Sequence, residues 1–181
     1  MIDVSQYNGA IEWDKVTASF VYLKATEGDN YVDPTYKERV VECRERSILV
    51  GAYHYLTTSS DPKDQFDNFK RTVKKKDISL RPVLDIEENR ANLSKVNLRK
   101  YIRMFAELCK REYGTYPIIY SSQKFYLKYL VGMSFDFWCG AINKRVHVPH
   151  IIHQISIREV SGVKGKVDYN ILKCDLDKIK L

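Results

Sequence analysis

Long apolar runs are absent. Nowhere in the 181 residues do about 18 apolar side chains follow one another, so no segment reads as a membrane-spanning helix. The opening MIDVSQYNGA lacks both the basic flank and the apolar stretch of an export leader, so another route across the membrane, or a leader already removed, is expected. Cysteine is sparse: Cys43, Cys109, Cys139 and Cys174 stand far apart, without a C-x-x-C pair or a histidine at ligand spacing, which argues against zinc. No metal and no cofactor is expected. Disulfides stay open, although Cys109 and Cys139 sit in apolar periodic surroundings and read as small buried hydrophobes. Eight glycines and five prolines, scattered, make no linker, and there is neither a repeat nor a low-complexity tract. One domain over 1–181 is expected, large enough for its own core.

What the chain has is positive charge, 30 Lys+Arg against 23 Asp+Glu for a net +7. This favours anionic partners, whether nucleic acid, an acidic wall polymer or a lipid surface, without choosing among them. The basic residues are scattered rather than striped and carry no nucleic-acid motif, so nucleic acid is not expected as the partner. The run Lys74, Lys75 and Lys76 reads as the solvated end of a polar helix.

Short apolar runs alternate with amphipathic stretches. Residues 2–4 and 20–25 (FVYLKA) read as strands, and a helix follows Asp33-Pro34 with Asp33 as its N-cap, ending near Ser47. Residues 49–55 (LVGAYHY) form the next strand, and Asp61-Pro62 opens a second helix. Residues 82–87 (PVLDIE) are a strand with proline at its entry. Residues 94–112 place Leu98, Ile102, Phe105 and Cys109 on one helical face. Residues 116–120 are a strand and 123–130 a short helix. Beyond them the strand-like runs 135–142, 151–157 and 166–169 follow without helices. Five strand–helix units and then three strands predict an α/β fold with a parallel sheet closed into a barrel, short of the usual eight helices.

The chemistry centres on Asp85-Ile86-Glu87. Residues i and i+2 of a strand share a face, so both carboxylates project together while Ile86 packs behind. Asp3 ends the first strand and Asp168 is taken to end the last, and barrel closure makes these strands neighbours. Four carboxyls then converge on one mouth, where each disfavours ionisation of the others. Glycoside hydrolysis needs such a set, with one acid to protonate the leaving oxygen and ionised partners to stabilise the positive centre. A solvated strand end, or a Mg²⁺ or Ca²⁺ site, is the competing reading of the same acids. Tyr53, Tyr55, Tyr120 and Trp138 lie near strand ends, where aromatic faces suit sugar rings. His54 alternates with Tyr53 and Tyr55 and is expected to face the helices.

These residues resemble family 25 of the glycoside hydrolases, the Chalaropsis-type lysozymes, over nearly the whole chain. The likeness rests on Asp3-Val4-Ser5, GAIEW at 9–13, KATEG at 24–28 with Asp33-Pro34, GAYHY at 51–55, LDIE at 84–87, the strand at 138–141 and GKVDYN at 165–170. It implies a modified (β/α)5β3 TIM-like barrel that cleaves the β-1,4 bond between N-acetylmuramic acid and N-acetylglucosamine. By position, Glu87 is the expected general acid and Asp85 supports the substrate's 2-acetamido group, with net retention. Asp3 and Asp168 tune both and hold the sugar, and Tyr53, Tyr55, Tyr120, Trp138, Gln154 and Glu27 bind substrate. Lys24 matches as well, and also suits a buried ion-pair partner. Departures from the family pattern are His153-Gln154-Ile155 in the seventh strand, Ser19-Phe20 in place of a small-residue turn, and a shorter, more basic stretch at 143–149. They bear on subsites and glycan preference, not on the acid pair.

The function expected is therefore that of a monomeric muramidase acting on peptidoglycan strands at the cell wall, in wall catabolism or lysis. The alternative is a glycan-binding barrel of weak activity, motivated by His153 and Ile155.

Overall fold

The structure is a computed structural model describing residues 1–181. Nine strands occur in chain order: β1 (Ile2–Val4), β2 (Phe20–Glu27), β3 (Tyr31–Val32), β4 (Leu49–Tyr55), β5 (Val83–Asp85), β6 (Ile118–Ser122), β7 (Phe137–Gly140), β8 (Ile152–Glu159) and β9 (Lys166–Leu172). Eight close into a barrel in the order β1-β2-β4-β5-β6-β7-β8-β9, with β9 returning to β1, while β3 is a hairpin partner of β2. Neighbours from β1 through β8 are parallel, and β9 runs antiparallel to both β8 and β1. Helices α1 (Tyr36–Glu45), α2 (Pro62–Thr72) and α3 (Lys95–Tyr113) follow β3, β4 and β5; α1 packs on β2 and β4, α2 on β2, and α3 against α2. A short turn of helix at Gln123–Phe125, widening into a π-turn at Tyr126–Leu130, follows β6. Only 3₁₀ turns follow β1, and β7 to β9 have no helix after them. The expected barrel of five strand–helix units and three further strands is what forms.

The local chemistry explains the elements. Asp61 caps α2 by accepting from the Lys63 N–H at 2.8 Å, with Pro62 at the first helical position, where its missing N–H costs nothing. Ser94 caps α3, which ends at Gly114 in the left-handed conformation (φ 87°). Leu98, Ile102, Phe105 and Cys109 are all buried along its inner stripe. Val83, Leu84 and Asp85 are buried one after another, because a parallel strand beneath helices is covered on both faces. His54 faces the helices as expected. It stacks on Phe105 at 4.8 Å between ring centres, beside Thr26 Oγ1 and Gln65 Oε1, and burial drops its pKa to about 3. The four cysteines are unpaired.

Four expectations are corrected. Asp33 does not stand at the N-cap of α1; Thr35 occupies that position without a side-chain capping bond, and the buried Asp33 carboxylate instead accepts from Thr35 N–H and from Gln6 N–H, tying the turn before α1 to the loop after β1. Lys74, Lys75 and Lys76 lie beyond α2, which stops at Thr72, and run into a 3₁₀ turn. Glu87 lies two residues past the end of β5, although the Ile86 N–H still bonds Tyr120 O at 3.0 Å and prolongs the extended backbone. Asp168 stands near the start of β9 and not at its end. The last strand is antiparallel, so its N-terminal end is the one that meets the C-terminal end of β1.

Large side chains plug the far end of the barrel. Tyr22 lies 5.2 Å from Trp138, ring centre to ring centre, among Leu80, Val83, Ile118, Ile152 and Ile179. Gly51 makes room for Tyr22: a Cβ built there would stand 2.2 Å from the ring. Gly51→Ala is therefore expected to destabilise by about 1–3 kcal/mol or more through overpacking, read as a lower denaturation midpoint. An unchanged midpoint would show that the plug yields.

Candidate active site

The barrel brings the four expected acids to one mouth. Asp3 and Asp168 are direct cross-strand partners of β1 and β9, so their side chains share a face. Asp85 ends β5 between Tyr55 of β4 and Tyr120 of β6, and Glu87 follows on the same side. All four line a pocket of ≈210 Å³ with Ser5, Tyr7, Lys24, Tyr53, Tyr55, Val83, Tyr120, Trp138 and Gln154.

Burial and crowding raise every acid in it. Asp3 is pushed up to about 8, first by desolvation and then by the Asp168 charge, while the hydrogen bond from Asn170 pulls back. Asp85 is held well above the ordinary carboxyl range by desolvation, then by Glu87 and Asp3, with Lys24 opposing. Glu87 is raised by desolvation, then by Asp168 and Glu88. Asp168 is raised by desolvation, and the neighbouring Gln154 amide opposes the rise. Like charges directly opposite one another across a sheet are destabilising, so this arrangement works against stability.

Two relays hold the cluster. Trp138 Nε1 donates to Asn170 Oδ1 at 3.0 Å, and Asn170 Nδ2 donates to Asp3 Oδ1 at 2.7 Å. The Tyr120 hydroxyl donates to Gln154 Oε1, which orients the amide beside Asp168. Asp85 Oδ1 is buried and has no hydrogen-bond partner, so one lone-pair face of the carboxyl is left for something else to satisfy.

Most of the residues expected to bind substrate are in the wall, with two corrections. Trp138 is 2% exposed and forms the floor, edge-on to Tyr120 at 5.5 Å, so it supports Asp3 through Asn170 and offers no open face to a sugar. Glu27 is outside the lining. It turns to Lys24, whose Nζ it meets at 2.6 Å, and Lys24 enters the pocket beside Asp85, an ion-pair partner and a wall residue at once. His153 and Ile155 line neither this pocket nor the cleft beside it; the His153 ring sits against Ala141 O at 3.1 Å. Sequence reasoning missed Asn170, Ser5 and Tyr7. Asn170 was within reach, because it lies at i+2 from Asp168 and so shares its face. Ser5 and Tyr7 sit on an irregular turn with no periodicity to place them.

A closed α/β barrel whose strand ends gather protonatable carboxyls and tyrosines into a polar pocket has the makings of a glycoside hydrolase. Residues 2–147 match the glycosyl hydrolases family 25, and the chain belongs to that family and is a glycoside hydrolase. It is 31% identical to the uncharacterized protein YegX of Escherichia coli K12 over 99% of this chain and 71% of that protein. It is 31% identical to lysozyme M1 of Streptomyces globisporus over 67% of this chain and 45% of that one. The solved structure of a family 25 glycosyl hydrolase from Bacillus anthracis superimposes with a TM-score of 0.88 at 26% identity, over 98% of this chain and 89% of that one.

The raised carboxyls couple stability to pH. A folded-state pKa above the unfolded value means that the folded chain binds more protons between the two. The cluster's contribution is thus fully present below about pH 4 and drains away as pH rises toward the raised value of Asp3. Asp3→Asn keeps an acceptor for Asn170 and removes one charge. It should melt higher than the parent at pH 8 and equally at pH 4, with about 2–4 °C for each kcal/mol gained. A variant less stable at both pH values would contradict the electrostatic reading.

Proposed function

We propose that the chain is a muramidase, cleaving the β-1,4 bond between N-acetylmuramic acid and N-acetylglucosamine in peptidoglycan, at the cell wall, in wall catabolism or lysis. The observation that carries the reading is the carboxyl quartet lining one pocket, with Glu87 exposed at its rim and its pKa raised by desolvation and by the charges of Asp168 and Glu88. The lysozyme relatives and the family support the choice of substrate.

In this reading the glycosidic oxygen takes its proton from Glu87 as the C1–O bond breaks, and the departing sugar leaves as an alcohol. The carbonyl oxygen of the 2-acetamido group closes on C1 from the opposite face. Its N–H becomes more acidic as it does so and donates to Asp85, whose unpartnered Oδ1 suits that bond. That hydrogen bond, with Lys24 nearby, draws Asp85 toward its ionised form. Glu87, now a carboxylate, takes a proton from the water that reopens the ring at C1, and configuration is retained after two inversions. Asp168 raises Glu87 and Asp3 raises Asp85, which keeps the pair poised, and Tyr53, Tyr55 and Tyr120 provide hydroxyls and ring faces along the wall. The net +7 aids adsorption to anionic walls, an effect that weakens with salt. A barrel that binds glycan without cleaving it has little to recommend it, since the departures at His153 and Ile155 lie off the pocket lining.

Glu87→Gln is nearly isosteric and cannot donate the proton. Release of N-acetylmuramic acid reducing ends from purified peptidoglycan should fall by about 10² or more with the melting midpoint little changed. Retained turnover would remove Glu87 from the role, and a parent chain inert on several peptidoglycans that it still binds would favour the glycan-binding barrel.

A further inference from the structure

Beside the catalytic pocket lies a second, larger cleft of ≈760 Å³, continuous with it through Glu87, Tyr120 and Gln154. Its walls come from the short helical turn after β6 and from the loop after β7, and the two are tied together where His147 N–H donates to Gln123 Oε1 at 2.7 Å. Gly140 stands at the junction, where a Cβ would press to 2.6 Å from the Tyr120 hydroxyl, so glycine keeps the passage between the two spaces clear.

The cleft is basic. Lys124 and Lys128 project from one wall and Lys144 from the other, all exposed. None of the three has a carboxylate within ion-pair distance, whereas nine other Lys and Arg side chains of the chain are paired. Glu87 is the one carboxylate in the lining; Glu88 lies on the far side of Lys124 and is held by Arg90 at 2.7 Å. Between the lysines, Leu127, Ala141 and Ile142 offer apolar surface. The cleft thus presents three unneutralised ammonium groups around small apolar patches, starting at the general acid.

We propose that this cleft is a subsite for the peptide stem attached to the muramic acid residue, with Lys124, Lys128 and Lys144 holding its free carboxylates and Leu127 and Ile142 meeting its small apolar side chains. The inference rests on the muramidase reading and deepens it. In a muramyl glycan the peptide hangs from the sugar next to the scissile bond, so its carboxylates fall where a cleft opening directly off Glu87 can take them. The lysines are specificity residues for the substrate and lie outside the reacting groups. Exposed lysine–carboxylate pairs are individually weak and screened by salt, so the effect comes from three acting together on one flexible ligand.

The test compares two glycan substrates from one preparation, strands bearing uncross-linked stems and the same strands after an amidase has removed them. Teichoic polymer is stripped from both. The parent is expected to show kcat/KM about tenfold higher on stem-bearing strands at low salt, chiefly through KM, with the preference shrinking at high salt or when the stem carboxylates are amidated. The triple variant K124S/K128S/K144S should lose the preference while its kcat/KM on bare strands stays at the parent's value. Equal turnover of both substrates by the parent, or an equal fall of the variant on both, would overturn the subsite and leave the muramidase reading standing. A preference that appears only when phosphodiester wall polymer is left in place would overturn it in favour of that polymer. No turnover of either substrate would overturn the muramidase reading itself, and the subsite with it.

Discussion

The desolvation of four convergent carboxyl groups, sharpened by their mutual repulsion, is the constraint on which the rest of this molecule turns. Asp3, Asp85 and Asp168 stand on three strands and Glu87 just beyond one of them, up to 165 residues apart in sequence, and none would be unusual alone. Closure of the barrel sets Asp3 directly across from Asp168 and both beside the Asp85–Glu87 pair. Burial first, and the neighbouring charges second, then convert ordinary acids into groups that keep protons at higher pH, which is the property an acid catalyst needs.

Much of the surrounding structure can be understood as holding this unfavourable arrangement in place. The Trp138–Asn170–Asp3 relay and the Tyr120–Gln154 bond fix the acids from below and from the side, and Lys24 supplies a positive charge that Glu27 orients. At the opposite end, Tyr22 seated over Gly51 fills the barrel. There Arg81 bonds Asp136, Tyr116 O and Lys178 O, joining the entries of three strands to the C-terminal turn. Stability is concentrated where no chemistry occurs, and the mouth is left with the strain, an unsatisfied Asp85 oxygen included.

The sequence made the barrel legible because its signals are local. Pro62 after Asp61, the helical stripe of Leu98 to Cys109 and the β-branched and aromatic runs each dictate one element by short-range physics. The site was legible where period-two alternation applies, as for Asp85 with Glu87 and for His54 turned away from Tyr53 and Tyr55. It was less so where geometry depends on distant segments. That Asp168 begins its strand follows from the antiparallel return of β9, which no residue near it announces. Trp138 has the composition of a sugar platform, but its burial beneath Tyr120 is decided by strands on either side. Asp33 looked like a helix cap, yet a bond to Gln6, 27 residues earlier, sets its role.

The most direct measurement is a ¹³C NMR titration of the side-chain carboxyls, following Glu87 in the parent and in Asp168→Asn. Glu87 should titrate above the ordinary glutamate range in the parent and shift downward in the variant, because the Asp168 charge that opposes its ionisation is gone. A Glu87 that titrates in the ordinary range, and is indifferent to Asp168, would contradict the claim that convergent carboxyls hold the catalytic proton.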